Sequence, residues 1–238
     1  KHRTSNHAAA STVFVHDLGS SQSLQMFAFV NHNFSQGSTV RIRVSNNSGG
    51  TSPSLDVTLT IDKATVVWGS LRWGQFPWTG TDDDFPGGFT AFYLHTAVVS
   101  GRYVLINGTD ESNVDGYWEM GCFLAGVPFV PSINVGFGAS VGIVDDSRLD
   151  RGVGAGLFSD DKPKRRRVAG PLAYLSKTEA LGDLYALKNH VGVSKGVLFV
   201  LDPDEANGIR MRRTVYGSFT ELGSITNHSV QDKPWAWS

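Results

Sequence analysis

The chain has 238 residues, 40% hydrophobic and 18% charged. A chain of that length buries roughly 70–75% of its unfolded surface and needs no covalent staple to fold. Its 21 Lys and Arg against 22 Asp and Glu leave a net charge of −1, so no overall basic field draws in nucleic acid or an anionic membrane. A single cysteine, Cys122, excludes an intrachain disulfide framework, and no apolar run is long enough to span a bilayer as a helix.

Lys1 to Ala10 is polar and small and reads as lacking a signal-peptide core. The apolar run Met26 to Val30 predicts a strand covered on both faces. Val40, Ile42 and Val44 alternate with Arg41, Arg43 and Ser45, which predicts a strand with one wet face. Leu55, Val57, Leu59 and Ile61 repeat the pattern against Asp56, Thr58 and Thr60. Tyr103 to Ile106 reads as another strand. Val127-Pro128-Phe129-Val130-Pro131 stops regular structure, because proline favours extended backbone and disrupts helix and central strand. A domain boundary is expected there.

Residues 144–163 are rich in Gly, Asp and Arg and predict a long exposed loop or arm without regular structure. One helix is expected, over 177–190. Ser176 and Glu179 form a capping box ahead of it, and Ala180, Leu181, Leu184 and Leu187 recur at helical spacing. Leu181 and Tyr185 lie four apart on one face. Gly192 ends the pattern, with Lys188 and His190 placed to favour the C-terminal end of the dipole. Val197 to Leu201 predicts a second fully covered strand, and Met211 to Tyr216 a further strand. With 27 Gly and 9 Pro punctuating short apolar runs, the fold class is mainly β.

Few residues suggest reactive chemistry. Asp82-Asp83-Asp84 reads as a solvated turn, since consecutive carboxylates point apart. The seven histidines show no metal-ligand spacing, so neither a metal nor a cofactor is expected. Gly138-Ala139-Ser140-Val141-Gly142 matches a nucleophile elbow by letters, but no helical pattern follows Ser140. Glu119, beside Trp118 in an apolar strand, is the best lone candidate for a glycosidase carboxylate but reads rather as a buried or edge structural residue. Lys162 to Arg167 is a basic run that Asp160 and Asp161 partly offset, so Arg165, Arg166 and Arg167 face water or a neighbouring subunit rather than nucleic acid. Arg148 and Arg151 join them as arm residues. Trp68, Trp73 and Trp78, set between glycines, offer flat aromatic faces for a protein interface or a glycan, with core packing of at least one as the default, and Trp235 and Trp237 form a second such pair.

Three segments together resemble a discoidin-like (galactose-binding-like) β-sandwich. They are Asp17-Leu18-Gly19 leading to Met26–Val30, then Val40 to Ser45, then Arg102-Tyr103 to Ile106 running on to Trp118-Glu119-Met120-Gly121. The resemblance covers residues 12–126. The whole chain is similar to minor tail proteins of tailed phages. Its C-terminal part carries that likeness in Asp146-Ser147-Arg148, Lys164 to Arg167, Ser176 to Ala180, Gly196 to Pro203 and Arg213 to Phe219. The resemblance implies a discoidin-like sandwich at 12–126 and a distal-tail-like β domain at 132–238. It further implies a non-enzymatic structural component of the tail tip, made in the host cytoplasm and carried in the virion. Copies of the chain would form a ring, with a hexamer as the expected order, and would meet tube and hub proteins and a host surface glycan. The rival readings are a free carbohydrate-binding module and, behind it, a glycoside hydrolase with two carboxylates in one cleft.

Overall fold

The computed structural model describes residues 2–6, 13–62, 89–133, 135, 138–151, 157–172, 174–205, 210–211 and 213–223. Trp68, Trp73, Trp78, Trp235, Trp237 and the Asp82–Asp84 cluster lie outside the described residues.

The chain is mainly β and its sheets are antiparallel, as its composition predicts. Six strands make one sheet: β1 (His2–Arg3), β2 (Val13–His32), β3 (Thr39–Ser45), β4 (Leu55–Thr60), β5 (Phe89–Thr109) and β6 (Glu119–Gly126), in the order β1-β6-β2-β5-β3-β4. β2 and β5 run side by side over their whole length, 20 and 21 residues. The first half of β2 and the second half of β5 carry β3 and β4 beside them. The other halves carry β6 and β1.

This sheet is folded over on itself. Residues 16 to 29 of β2, if straight, would span about 43 Å at roughly 3.3 Å per residue. Yet the His16 ring stacks at 5.0 Å on Phe123, which is itself the cross-strand partner of Phe29. The bend falls where the register of β2 against β5 slips, between Asp17 and Gln22 and again between Leu24 and Met26. Gly19, at φ +80, supplies the left-handed conformation this bend requires. Its N–H donates to Asp17 Oδ1 at 2.8 Å, and Arg102 on β5 grips both Asp17 oxygens at 2.7 Å. These bonds, Arg102 foremost, hold the Asp17 carboxyl at about 2.

Folding brings two inner faces onto one core. Phe27, Phe29, Trp118 and Met120 come from one half, and Val40, Ile42, Val44, Val104 and Ile106 from the other. The Trp118 ring lies directly on Gly108, where any side chain would collide with it. Phe34 packs on the same indole at 4.6 Å. The alternation in β3 and β4 works as expected: Val40, Ile42, Val44 and Leu55 are buried, while Arg41 and Asp56 pair on the wet face. Met26–Val30 is largely buried, as a continuous apolar strand requires.

The rest of the chain is built differently. β7 (Ser140–Val144) pairs with β10 (Arg165–Ala169), β8 (Arg148–Arg151) with β9 (Leu157–Asp160), and β11 (Val197–Val200) with β12 (Thr214–Gly217), each as a separate two-stranded ribbon. Past Gly126, the buried residues among those described are Leu184, Val191, Met211 and Thr214. Three expectations change here. Val197–Val200 is half-buried in a ribbon rather than covered on both faces, because only β12 flanks it. Arg210, Met211 and Arg213 are helical, and the strand begins at Thr214. Residues 144–163, read as an arm without regular structure, carry the exposed β8–β9 hairpin.

The helix forms where its cap predicts. Ser176 N–H donates to Glu179 Oε2 at 2.8 Å, and Glu179 N–H donates back to Ser176 Oγ at 3.3 Å. Its first part, Glu179–Leu184, is π-helical, with the Tyr185 N–H reaching Ala180 O five residues back. It runs on into α1 (Tyr185–Val191), which ends at Gly192. The widened turn leaves Leu184 buried but Leu181 and Tyr185 exposed, so the apolar pair four apart faces outward.

Candidate assembly surfaces

Two features stand out beyond the core: an open cleft and a bare ribbon. The cleft, about 1040 Å³, lies between the folded sheet and the helix. The bend of β2 contributes Gln25, and β5 contributes Phe92 to Thr96. The proline-containing stretch Val127–Val130 lines one side, Asp183, Ala186 and Leu187 of the helical segment another, and Pro203, Asp204 and Arg210 the third. Proline keeps Val127–Val130 extended and out of any sheet, so its apolar side chains stand along the cleft instead of in a core.

Polar groups orient the cleft floor. Tyr93 Oη and His95 Nδ1 share a hydrogen bond at 3.0 Å, and Gln25 Nε2 donates to His95 O at 3.1 Å. The Arg210 guanidinium sits over the Phe92 ring at 5.2 Å and donates to Pro203 O at 3.3 Å. Asp183 and Asp204 line the wall as exposed carboxylates, and no ion pair among the described residues neutralises either. The helix side is pinned to the linker by Glu179, which accepts from the Ser132 N–H at 2.6 Å and the Ser132 hydroxyl at 3.2 Å. With the Ser176 bonds leading, these donors hold the Glu179 carboxyl at about 2.

The β8–β9 ribbon is the opposite kind of surface. All eight of its residues are exposed, with Leu149, Leu157 and Phe158 at 66%, 61% and 67%. Cross-strand partners share a face: Leu149 with Ser159 and Arg151 with Leu157 on one side, Arg148 with Asp160 and Asp150 with Phe158 on the other. One face is therefore apolar and basic, the other mixed.

The basic residues singled out in the sequence do not act together. Arg148 and Arg151 stand on the exposed ribbon. Arg165 pairs with Asp146 at 2.6 Å. Arg166 turns inward, and its Nη1 donates to Met211 O at 2.8 Å and Thr214 O at 2.7 Å, tying the β7–β10 ribbon to the start of β12. Burial lowers its pKa. Arg167 lies exposed on β10. Alternation along the strand explains the split, since Arg165 and Arg167 point one way and Arg166 the other.

Ser140 opens β7, its hydroxyl donating to Ala169 O at 3.4 Å, so the strand-to-helix turn of a nucleophile elbow is not formed there. Glu119 is held by Arg3 on β1 at 2.8 Å. Cys122 is half-buried and accepts weakly from the Tyr216 hydroxyl at 3.9 Å, a contact between the folded sheet and β12. Among the described residues, no group of three or more His, Cys, Asp or Glu is placed to share a metal ion, and no helix is long and apolar enough to cross a membrane.

Sequence reasoning missed the cleft. Its walls come from five separated segments, and neither spacing nor composition marks Gln25, Tyr93, His95, Asp183, Asp204 or Arg210 as neighbours. The one local signal was the proline-containing stretch, read only as a boundary. No family model, curated protein or solved structure matches the chain.

Proposed function

We propose that the chain is a structural component of a phage tail tip, assembling with copies of itself into a ring that joins the tail tube to the host-recognition apparatus. The observation that carries the assembly part is the contrast in burial. Among the described residues past Gly126 the strands form two-stranded ribbons with Ile143, Leu149, Leu157 and Phe158 exposed, and Tyr185 stands exposed on the helix. Isolated two-stranded ribbons are marginal in water, and apolar surface on this scale marks contact with other protein. Closed rings need heterologous surfaces, one complementary to another on the same chain. The virion setting rests on the sequence resemblance of the C-terminal segments, and no catalytic role is part of the reading.

Light scattering and native mass spectrometry of the purified chain test the assembly part, with a closed oligomer as the expected result and a monomer at every concentration as the opposing one. Gold-labelled antibody on virions tests the location, with label at the tail tip expected.

The second reading, glycan binding without catalysis, draws on the cleft, where Phe92, Tyr93 and Phe129 lie beside carboxylates and Arg210. A glycan array tests it.

A further inference from the structure

The cleft and the ribbon are complementary, and this inference rests on the assembly reading. The ribbon's Leu149–Leu157 face presents two large apolar side chains flanking Arg151, a net positive wedge. The cleft offers apolar walls from Val127, Phe129 and Leu187, with Asp183 and Asp204 set among them. Its 1040 Å³ lies at the upper end of the roughly 300–1,000 Å³ typical of small-molecule pockets, and it is partly open to solvent, which leaves room for several side chains of an inserted polypeptide. Among the described residues no ion pair engages Arg151, and none engages either aspartate; with Arg210 held on Phe92 and Pro203 in the same cleft, the two carboxylates leave it one negative charge in excess, which Arg151 balances.

We propose that the β8–β9 ribbon of one copy inserts its Leu149–Arg151–Leu157 face into the cleft of the next copy, with Arg151 between Asp183 and Asp204. The contact is heterologous: ribbon and cleft lie on different parts of the chain, so each copy gives one and receives one. Repetition closes a ring if the rotation permits. The apolar side chains supply the buried area, and the charge match fixes orientation and rejects other apolar edges.

The experiment uses two full-length variants. In the first, Leu149→Asp with Leu157→Asp disables the ribbon. In the second, Asp183→Arg with Ala186→Arg disables the cleft. All four positions are exposed, so both variants are expected to keep the wild-type circular dichroism, with a melting temperature lowered only by the loss of assembly. Light scattering should report an oligomer for wild type, monomers for each variant alone, and a one-to-one dimer, no larger, when the variants are mixed. Only a ribbon and a cleft on different copies produce that dimer. As a milder variant, Arg151→Met should weaken assembly at least tenfold and make it less sensitive to salt. If wild type assembles and the ribbon variant assembles equally well, the ribbon–cleft contact is wrong while the assembly reading survives. Monomers persisting in the mixture would show that the ribbon docks elsewhere. A wild type monomeric throughout would overturn the assembly reading itself.

Discussion

The two parts of this chain meet the same physical demand in opposite ways. Residues 2–126 solve the problem of apolar burial internally, by bending one sheet until its inner faces meet on Trp118, Phe29 and Ile106. Residues 140–217 use strands of the same kind, with Val, Ile, Leu and Phe among them, but pair them two by two and leave those side chains half-buried or, as at Ile143, Leu149, Leu157 and Phe158, exposed. Strand propensity is not what separates them. Two strands of 20 and 21 residues are long enough to fold a sheet back over a core, whereas two-stranded ribbons four or five residues long bury little by themselves.

The largest expected break in this comparison is Trp118→Ala. It empties the centre of the folded sheet and should cost about 3–5 kcal/mol, read as a lowered denaturant midpoint. Leu157→Ala, at a residue of similar apolar character but 61% exposed, should leave monomer stability within about 0.5 kcal/mol. If the two substitutions proved equally destabilising, the contrast between the regions would be lost.

Arg166→Met comes next. It strips donors from the carbonyls of Met211 and Thr214 and should destabilise the C-terminal part by about 1–3 kcal/mol. Amide exchange would show the loss confined to β10 and β12, with the β2–β5 pair unchanged.

The smallest effects are in pH. Glu179 and Asp17 have carboxyls held at about 2, below their ordinary 4.5 and 3.8. A depressed carboxyl stabilises the fold above its unfolded value, and that contribution is lost as pH falls toward the folded value. Glu179 therefore withdraws support between about pH 4.5 and 2, and Asp17 between about pH 3.8 and 2. Glu179→Gln should flatten the acid loss of helix signal, and Asp17→Asn that of the sheet. His16 acts higher: burial, then the charge of His2, lowers its pKa from 6.5, so the folded sheet holds it neutral and loses stability as pH falls below 6.5. His16→Phe should reduce that loss.

Much of the regular structure was legible residue by residue. The period-two patterns of Val40–Val44 and Leu55–Ile61 depend only on which face meets the core, and the Ser176–Glu179 box caps its helix through bonds that are local in the chain. The strand read over Met211 to Tyr216 begins only at Thr214, because Met211 and Arg213 are helical and Arg166 from a distant strand bonds the carbonyls of Met211 and Thr214. Arg166 was grouped with Arg165 and Arg167 by adjacency, and strand alternation then turned it inward.

The sequence by itself determined the mainly β class, the burial pattern of β3 and β4, the helix start and the break at Pro128, because each depends on interactions spanning a few residues. Tertiary structure alone decided that the long strand pair doubles back to stack His16 on Phe123, and that five distant segments enclose one cleft. Contacts such as these join residues tens of positions apart, and only the path of the folded backbone sets which of them meet.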